Sequence, residues 1–193
     1  MKRLLVLYLG LLILTFSLME EPAHAVPPAY SNAVILIIRH AEKPDDGTDG
    51  LTPAGQRHAA AYVKYFQTYM IDSRPLHLDA IYAAADSAND SRPRLTVEPL
   101  AKALGLTVDT TYKNKHLQDL ATALQTKAAG KQVLICWHHH RIPDLITALG
   151  ADANQLVPGG IWPDDQYYWV IQLCYDKDGH LIQSKTLRIA ENL

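Results

Sequence analysis

Three short stretches hold the residue types that could grip an anion and attack it. Arg39 and His40 stand together, with Glu42 and Lys43 just after them. Arg92 and Arg94 flank a proline in Ser91-Arg92-Pro93-Arg94, and His138, His139 and His140 run directly into Arg141. Neutral imidazole is a nitrogen nucleophile, a proton carrier or a metal ligand, and its charge changes near neutral pH. Guanidinium groups offer a planar fork of donors that matches phosphate or carboxylate oxygens. Arginine beside histidine therefore suits attack on an anionic group. An isolated Arg-His pair fits a solvated loop after a core strand equally well.

The elements that must position these residues can be read from hydrophobic pattern. Arg39 ends Ala33-Val34-Ile35-Leu36-Ile37-Ile38, an unbroken apolar run rich in β-branched residues. Such a run fits a strand buried on both faces, as in the middle of a parallel sheet. Val133-Leu134-Ile135-Cys136-Trp137 is a second run of this kind, and it ends in the three histidines. In open α/β sheets ligands bind beyond the carboxyl ends of the strands. If these two strands are neighbours, Arg39-His40 and His138-His139-His140 converge on one pocket.

Between them the chain alternates strands and helices. Thr52 is a good N-cap and Pro53 a good first residue for a helix carrying Ala59, Tyr62, Val63, Phe66 and Met70 as its apolar stripe. Leu78 to Tyr82 reads as a strand, and a helix from about Leu95 to Leu104 is closed by Gly105. Leu106-Thr107-Val108 reads as a short strand, Leu117 to Ala129 as a helix closed by Gly130, and Pro143 to Leu149 as a helix closed by Gly150. Tyr167 to Tyr175 and Leu181 to Ile189 read as an antiparallel hairpin turned at Asp178-Gly179. This alternation implies a three-layer α/β/α sandwich on a mostly parallel sheet.

The N-terminus has a different character. Met1-Lys2-Arg3 precedes an almost wholly apolar stretch to Met19, and Ala23-His24-Ala25 supplies a small-x-small site. This is the pattern of a secretory signal peptide cleaved after Ala25, and the apolar run is short for a membrane span. The expected mature chain is one domain over 26–193, secreted or periplasmic, with no stable membrane insertion after cleavage. An uncleaved anchor is the alternative. The net charge of −2 leaves no basic excess to suggest nucleic acid. Cys136 and Cys174, the only cysteines, could form a disulfide in an exported protein or remain two buried thiols.

With these residues in view, the chain resembles the histidine phosphatase superfamily, also called phosphoglycerate-mutase-like. Ile37-Ile38-Arg39-His40-Ala41-Glu42 resembles its strand-then-Arg-His-Gly signature, with alanine where glycine is usual. Leu51-Thr52-Pro53-Ala54-Gly55 with Ala59 is similar to the start of its first helix. Arg92-Pro93-Arg94-Leu95-Thr96 resembles its Arg-x-x-x-Thr helix, and Val133 to His138 resembles its second catalytic strand and histidine. The resemblance covers nearly all of 26–193. It implies a phosphoglycerate-mutase-like fold and an exported phosphomonoesterase that needs no metal or other cofactor and takes a small phosphorylated substrate.

It also implies roles. His40 would form a phosphohistidine that water hydrolyses, and Arg39 and Arg92 would hold the phosphoryl oxygens. His138 would donate to the same oxygens, and Lys43 would be an accessory binder. Counting back from Thr96 selects Arg92 over Arg94, which is left as a surface residue. Counting back from Ile142 selects His138, while a slip of one residue would select His139. The leaving-group acid stays open among His139, Glu42 and Asp119. The Glu-rich motif of the mutase branch is missing from Thr110 to Gln118, which argues against a mutase.

Two other readings compete. One is an inactive member that binds a phosphorylated ligand or a partner. The other is a metal-binding protein in which Cys136, His138 and His140 share one face of an extended strand, without a convincing fourth ligand. The substrate and the oligomeric state are not legible, although the polar segments 83–91 and 151–166 are placed to shape specificity.

Overall fold

A computed structural model of the protein describes residues 28–193, so the expected signal peptide of residues 1–25 lies outside the described residues. The chain forms β1 (Val34–Arg39), α1 (Pro53–Gln67), β2 (Met70–Ile71), β3 (Arg74–Pro75), β4 (Ala80–Ala83), α2 (Arg92–Leu104) and β5 (Val108–Asp109). It continues through α3 (Leu117–Lys127), β6 (Gln132–Trp137), α4 (Ile142–Ala148), α5 (Ala153–Leu156), β7 (Trp169–Cys174) and β8 (Leu187–Ala190). Short 3-10 turns cover Asn114–His116, His139–Arg141, Pro158–Gly160 and Gln183–Lys185. No helix among the described residues is long and apolar enough to cross a membrane.

Six strands make one sheet in the order β5-β4-β6-β1-β7-β8. β5, β4, β6 and β1 run parallel, and β7 and β8 extend the sheet by antiparallel pairing. The two apolar runs lie side by side at the centre, with Ile35 opposite Val133 and Arg39 opposite Trp137.

Burial on both faces explains why these runs lack polar alternation. Ile35, Ile37, Val133 and Ile135 join a core with Leu120 and Leu124 of α3 and Leu145 and Ile146 of α4. The intervening Leu36, Ile38, Leu134 and Cys136 pack on the other face with Tyr62 and Phe66 of α1 and Val97 and Leu100 of α2. The result is the expected three-layer α/β/α sandwich.

The helices start and stop for local reasons. Gly55 N–H donates to Thr52 Oγ1 at 3.0 Å, the cap expected for α1. Gly105 closes α2 in the left-handed region, where glycine has no Cβ penalty. Gly55 answers a different demand. A Cβ there would overlap the backbone oxygen of Glu42, so glycine lets α1 dock on the loop that follows β1.

Several boundaries differ from expectation. α2 starts at Arg92 rather than near Leu95, β4 is Ala80–Ala83, and β5 is Val108–Asp109. Met70 is not part of the α1 stripe. It is 52% exposed and pairs with Pro75 in a small hairpin whose turn residues, Asp72 and Ser73, both have positive φ. The expected β7–β8 hairpin is interrupted. The chain turns at Gly179 and bridges Tyr175 to Leu181, then makes the Gln183–Lys185 turn before β8.

Cys136 and Cys174 are both free thiols. They lie on β6 and β7 with β1 between them, beside Ile38 and Val34 respectively. Two strand spacings and four residues of offset put them beyond the reach of a disulfide.

Candidate active site

The parallel pairing of β1 with β6 ends at Arg39 and Trp137, so the next residues, His40 and His138, leave the sheet together. His40 N–H donates to Trp137 O at 3.1 Å, and the two imidazoles meet edge to face with centroids 5.5 Å apart. His40 Nδ1 lies 2.8 Å from Ala41 O. A carbonyl only accepts, so Nδ1 carries the proton and Nε2 keeps its lone pair. Burial lowers the His40 pKa to about 3. Its bond to Ala41 opposes that effect, and the nearby Arg39, His138 and Arg92 add to it. The ring is neutral at physiological pH.

α2 is tied to the same corner through a wholly buried threonine. Ala41 N–H donates to Thr96 Oγ1 at 2.9 Å, and Thr96 Oγ1 donates to Arg92 O at 2.8 Å. This link sets the first turn of α2 against the loop carrying His40. It brings Arg92 to a cavity of about 590 Å³ shared with His40, Lys43, His138, His139 and His140. Arg94 is not among the lining residues and pairs with Asp86 and Glu98.

Arg92 is already engaged. Its Nε donates to Asp90 Oδ1 at 2.8 Å, and its second fork nitrogen donates to Asp90 Oδ2. Asp90 Oδ2 is also 3.6 Å from His138 Nδ1. Burial would raise the Asp90 pKa, but the bonds from Arg92 and the positive charge nearby hold it below the usual carboxylate range. Burial likewise brings the His138 pKa down to about 4, although Asp90 pulls it upward.

Arg39 is wholly buried, next to His40 in the chain. One guanidinium nitrogen donates to the carbonyls of Pro163, Asp164 and Gln166, and the group stacks on Tyr167 with its central carbon 3.8 Å from the ring centroid. Its Nε and other terminal nitrogen are buried with no partner. Arg39 therefore anchors the 163–167 loop beside His40 and still has donors in hand. Lys43 is exposed and lines the cavity mouth.

The candidates for leaving-group acid separate by position. His139 lines the cavity, donates from Nε2 to Asp164 Oδ1 at 2.8 Å, and has a buried, unpartnered Nδ1. Burial and Arg39 lower its pKa, with Asp164 opposing. Asp119 is an exposed residue of α3 paired with His116, outside the cavity. Glu42 belongs to a buried cluster behind the site. His58 Nδ1 is 3.1 Å from Glu42 Oε2, and His58 Nε2 is 3.1 Å from Glu191 Oε2. Tyr62 O–H donates to Glu191, and Tyr168 stacks on His58 while donating to Glu42 at 2.8 Å. Burial alone would raise the Glu42 pKa, but bonds from His58, its own backbone and Tyr168 bring it to about 2. Of the three candidates, only His139 lines the cavity.

The proposed metal face does not form. β6 ends at Trp137, and His139–Arg141 turns into a 3-10 helix, so the strand alternation that would align Cys136, His138 and His140 stops. Cys136 points into the α1–α2 side of the core. Among the described residues the only cluster with metal-like spacing is Asp176, Asp178 and His180 at the distant, exposed Gly179 turn.

Sequence reasoning missed Asp90, Asp164, Tyr167 and the His58 cluster. Asp90 alone left a signal, two residues before the start of α2, where its Oδ1 also accepts from Arg92 N–H at 3.2 Å.

No protein-family model matches the chain, and no curated protein matches it. Solved structures do. The protein histidine phosphatase SixA complexed with tungstate aligns with a TM-score of 0.54 at 15% identity, over 81% of this chain and 96% of that one. Phosphoglycerate mutase from Plasmodium falciparum aligns with a TM-score of 0.51 at 16% identity, over 77% and 86%. Phosphoserine phosphatase from Entamoeba histolytica, in complex with 3-phosphoglyceric acid, aligns with a TM-score of 0.51 at 14% identity, over 77% and 93%. The chain has the phosphoglycerate-mutase-like fold that these proteins share.

Proposed function

We propose that the protein is a phosphomonoesterase of the histidine phosphatase superfamily, working through a phosphohistidine on His40. The observation that carries this reading is the His40 ring itself. It is neutral, its Nδ1 proton is fixed on Ala41 O, and it lines a cavity with Arg92 and His138. Nε2 attacks phosphorus, the P–O ester bond breaks, and the departing alcohol oxygen takes a proton. Water then breaks the P–N bond, releasing phosphate and restoring neutral His40.

The other residues supply charge and protons. Arg92 and His138 face the transferred oxygens, and His138 serves as the pocket histidine. Arg39 has two buried donors without partners. Leaving such groups unmatched costs about 1–3 kcal/mol or more each, a cost relieved when an anion arrives. Those donors are read as reserved for the phosphoryl group, whose stabilisation the arginines can supply without a metal. His139 is the acid. A bound phosphate dianion favours its protonated form, offsetting the burial that keeps it neutral in the free protein.

Rapid acid-labile labelling from a phosphorylated substrate tests the reading. Wild type should label and turn over without added metal and in the presence of EDTA. His40→Ala should do neither while remaining folded. Labelling of His40→Ala would refute the assignment. The bidentate Asp90–Arg92 contact favours a second reading, a phospho-ligand binder without turnover, because it engages the arginine meant for substrate. Vanadate binding with no hydrolysis of any phosphomonoester would select that reading.

Export is part of the proposal and rests on the basic, apolar and small-residue order of residues 1–25. Intact mass of the protein from the cell envelope should begin at Val26.

A further inference from the structure

Beyond the phosphoryl cradle, the cavity wall carries lysines that no carboxylate of the same wall pairs with, while Lys43 also borders Asp45, Asp164 and Asp165 on its other side. Lys43, Lys113 and Lys115 line it, and none makes an ion pair among the described residues. The carboxylates of the same wall, Asp86 and Asp90, are paired with Arg94 and Arg92. This local excess of cations sits in a chain whose formal net charge is −2. The cavity, at about 590 Å³, is in the range of sites for whole small molecules and far exceeds a phosphoryl group.

Lys113 and Lys115 also stand on a fixed base. The Trp137 indole N–H donates to Asn114 O at 3.3 Å, and Trp137 is the wholly buried residue just before His138. His116 N–H closes the turn on Lys113 O at 2.8 Å, and Ala85 N–H holds Tyr112 O at 2.8 Å. Asn114 Nδ2 reaches His140 Nε2 at 3.5 Å, while Asn114 Oδ1 is buried without a partner. The turn is thus fastened to the strand end that delivers the pocket histidine. The backbone that carries its two lysines is thereby fixed beside that strand end.

We propose that the Lys113-Asn114-Lys115 turn, with Lys43, is a distal anion subsite, and that the substrate is a phosphomonoester carrying a second anionic group on its leaving-group side. Lys43 then serves the far end of the substrate rather than the transferred phosphoryl group. This rests on the phosphatase reading. The second group is a phosphate or a carboxylate, either of which ammonium groups would attract. Exposed lysines act through solvent, so their contribution is modest singly and falls with salt.

The test compares a homologous series of α,ω-diol bisphosphates and their ω-carboxylate counterparts with alkyl monophosphates of matching length. Wild type should favour the doubly anionic compounds in kcat/KM. The K113A/K115A variant should lose about tenfold of that preference, and the preference should shrink in high salt. Which arm shows the larger loss identifies phosphate or carboxylate. An unchanged preference ratio in the variant, with monophosphates hydrolysed normally, overturns the subsite and leaves the phosphatase reading intact. If no compound is hydrolysed, the phosphatase reading fails. Calorimetric binding of an alkane bisphosphonate against its monophosphonate, in wild type and K113A/K115A, then decides the subsite alone.

Discussion

Replacing His58 by glutamine should remove a buried cation from between two carboxylates, and the loss should depend on pH in a defined way. His58 is 2% exposed at its side chain and bonded at both nitrogens. Burial would lower its pKa, but the bonds and charges of Glu191 and Glu42 outweigh burial and raise it to about 9. Relative to an unfolded histidine near 6.5, that is worth about 3 kcal/mol when counted once for the whole cluster. A raised folded-state pKa gives stability that is complete below about pH 6.5 and is lost as pH climbs through about 9. The groups facing the ring are Glu42 from the β1 loop, Glu191 beyond β8, Tyr62 from α1 and Tyr168 before β7. The phenols at Tyr62 and Tyr168 are pushed above their ordinary value, so they stay protonated through this window. His58→Gln should therefore trail wild type by about 3 kcal/mol at pH 6, or about 6 to 12 °C in Tm. The gap should close by nearly that amount at about pH 9.5. Urea unfolding across this range measures it. A gap of equal size at both ends would show that His58 acts by packing and not by charge.

Other outcomes follow from the site. Arg92→Ala should weaken vanadate binding and catalysis by about 2–4 kcal/mol, as loss of a transition-state donor does, whereas Arg94→Ala should cost under about 1 kcal/mol. Equal effects would mean that Thr96 marks the wrong arginine. Asp90→Asn removes an anion that competes with substrate for Arg92, so vanadate should bind several-fold tighter; weaker binding would make Asp90 a holder of the arginine's geometry. Gly55→Ala drives a methyl group into the Glu42 carbonyl and should cost about 1–3 kcal/mol in urea unfolding. Unchanged stability would show that the loop yields freely. His139→Ala should slow alkyl phosphates far more than activated aryl phosphates, and a uniform loss would remove it from the acid role.

What could be read in advance was whatever local chemistry dictates. The β1 and β6 runs declared themselves because a strand buried on both faces has no room for polar residues. Thr52, Gly105 and Gly150 marked helix ends through capping and left-handed backbone. The convergence of His40 and His138 followed once these strands were taken as neighbours. The groups that went unseen depend on tertiary approach. Glu191 reaches His58 across the fold, and the 163–166 carbonyls gather on Arg39, without any spacing that announces it. Met70 continued a helical period on paper, but α1 had already ended at Gln67.

The central place of β1 also bears on how the chain reaches its native state. Ile35 finds its partners in Val133 and Leu173, so the strand that leads into His40 waits for segments far downstream. Closing such large loops is entropically costly, and folding rates fall as contacts become less local. Until β6 and β7 arrive, Val34 to Ile38 is an uncharged, β-branched segment with two open edges, the composition that seeds intermolecular pairing. Refolding should accordingly be slow for a protein of this size, and its yield should fall steeply as protein concentration rises.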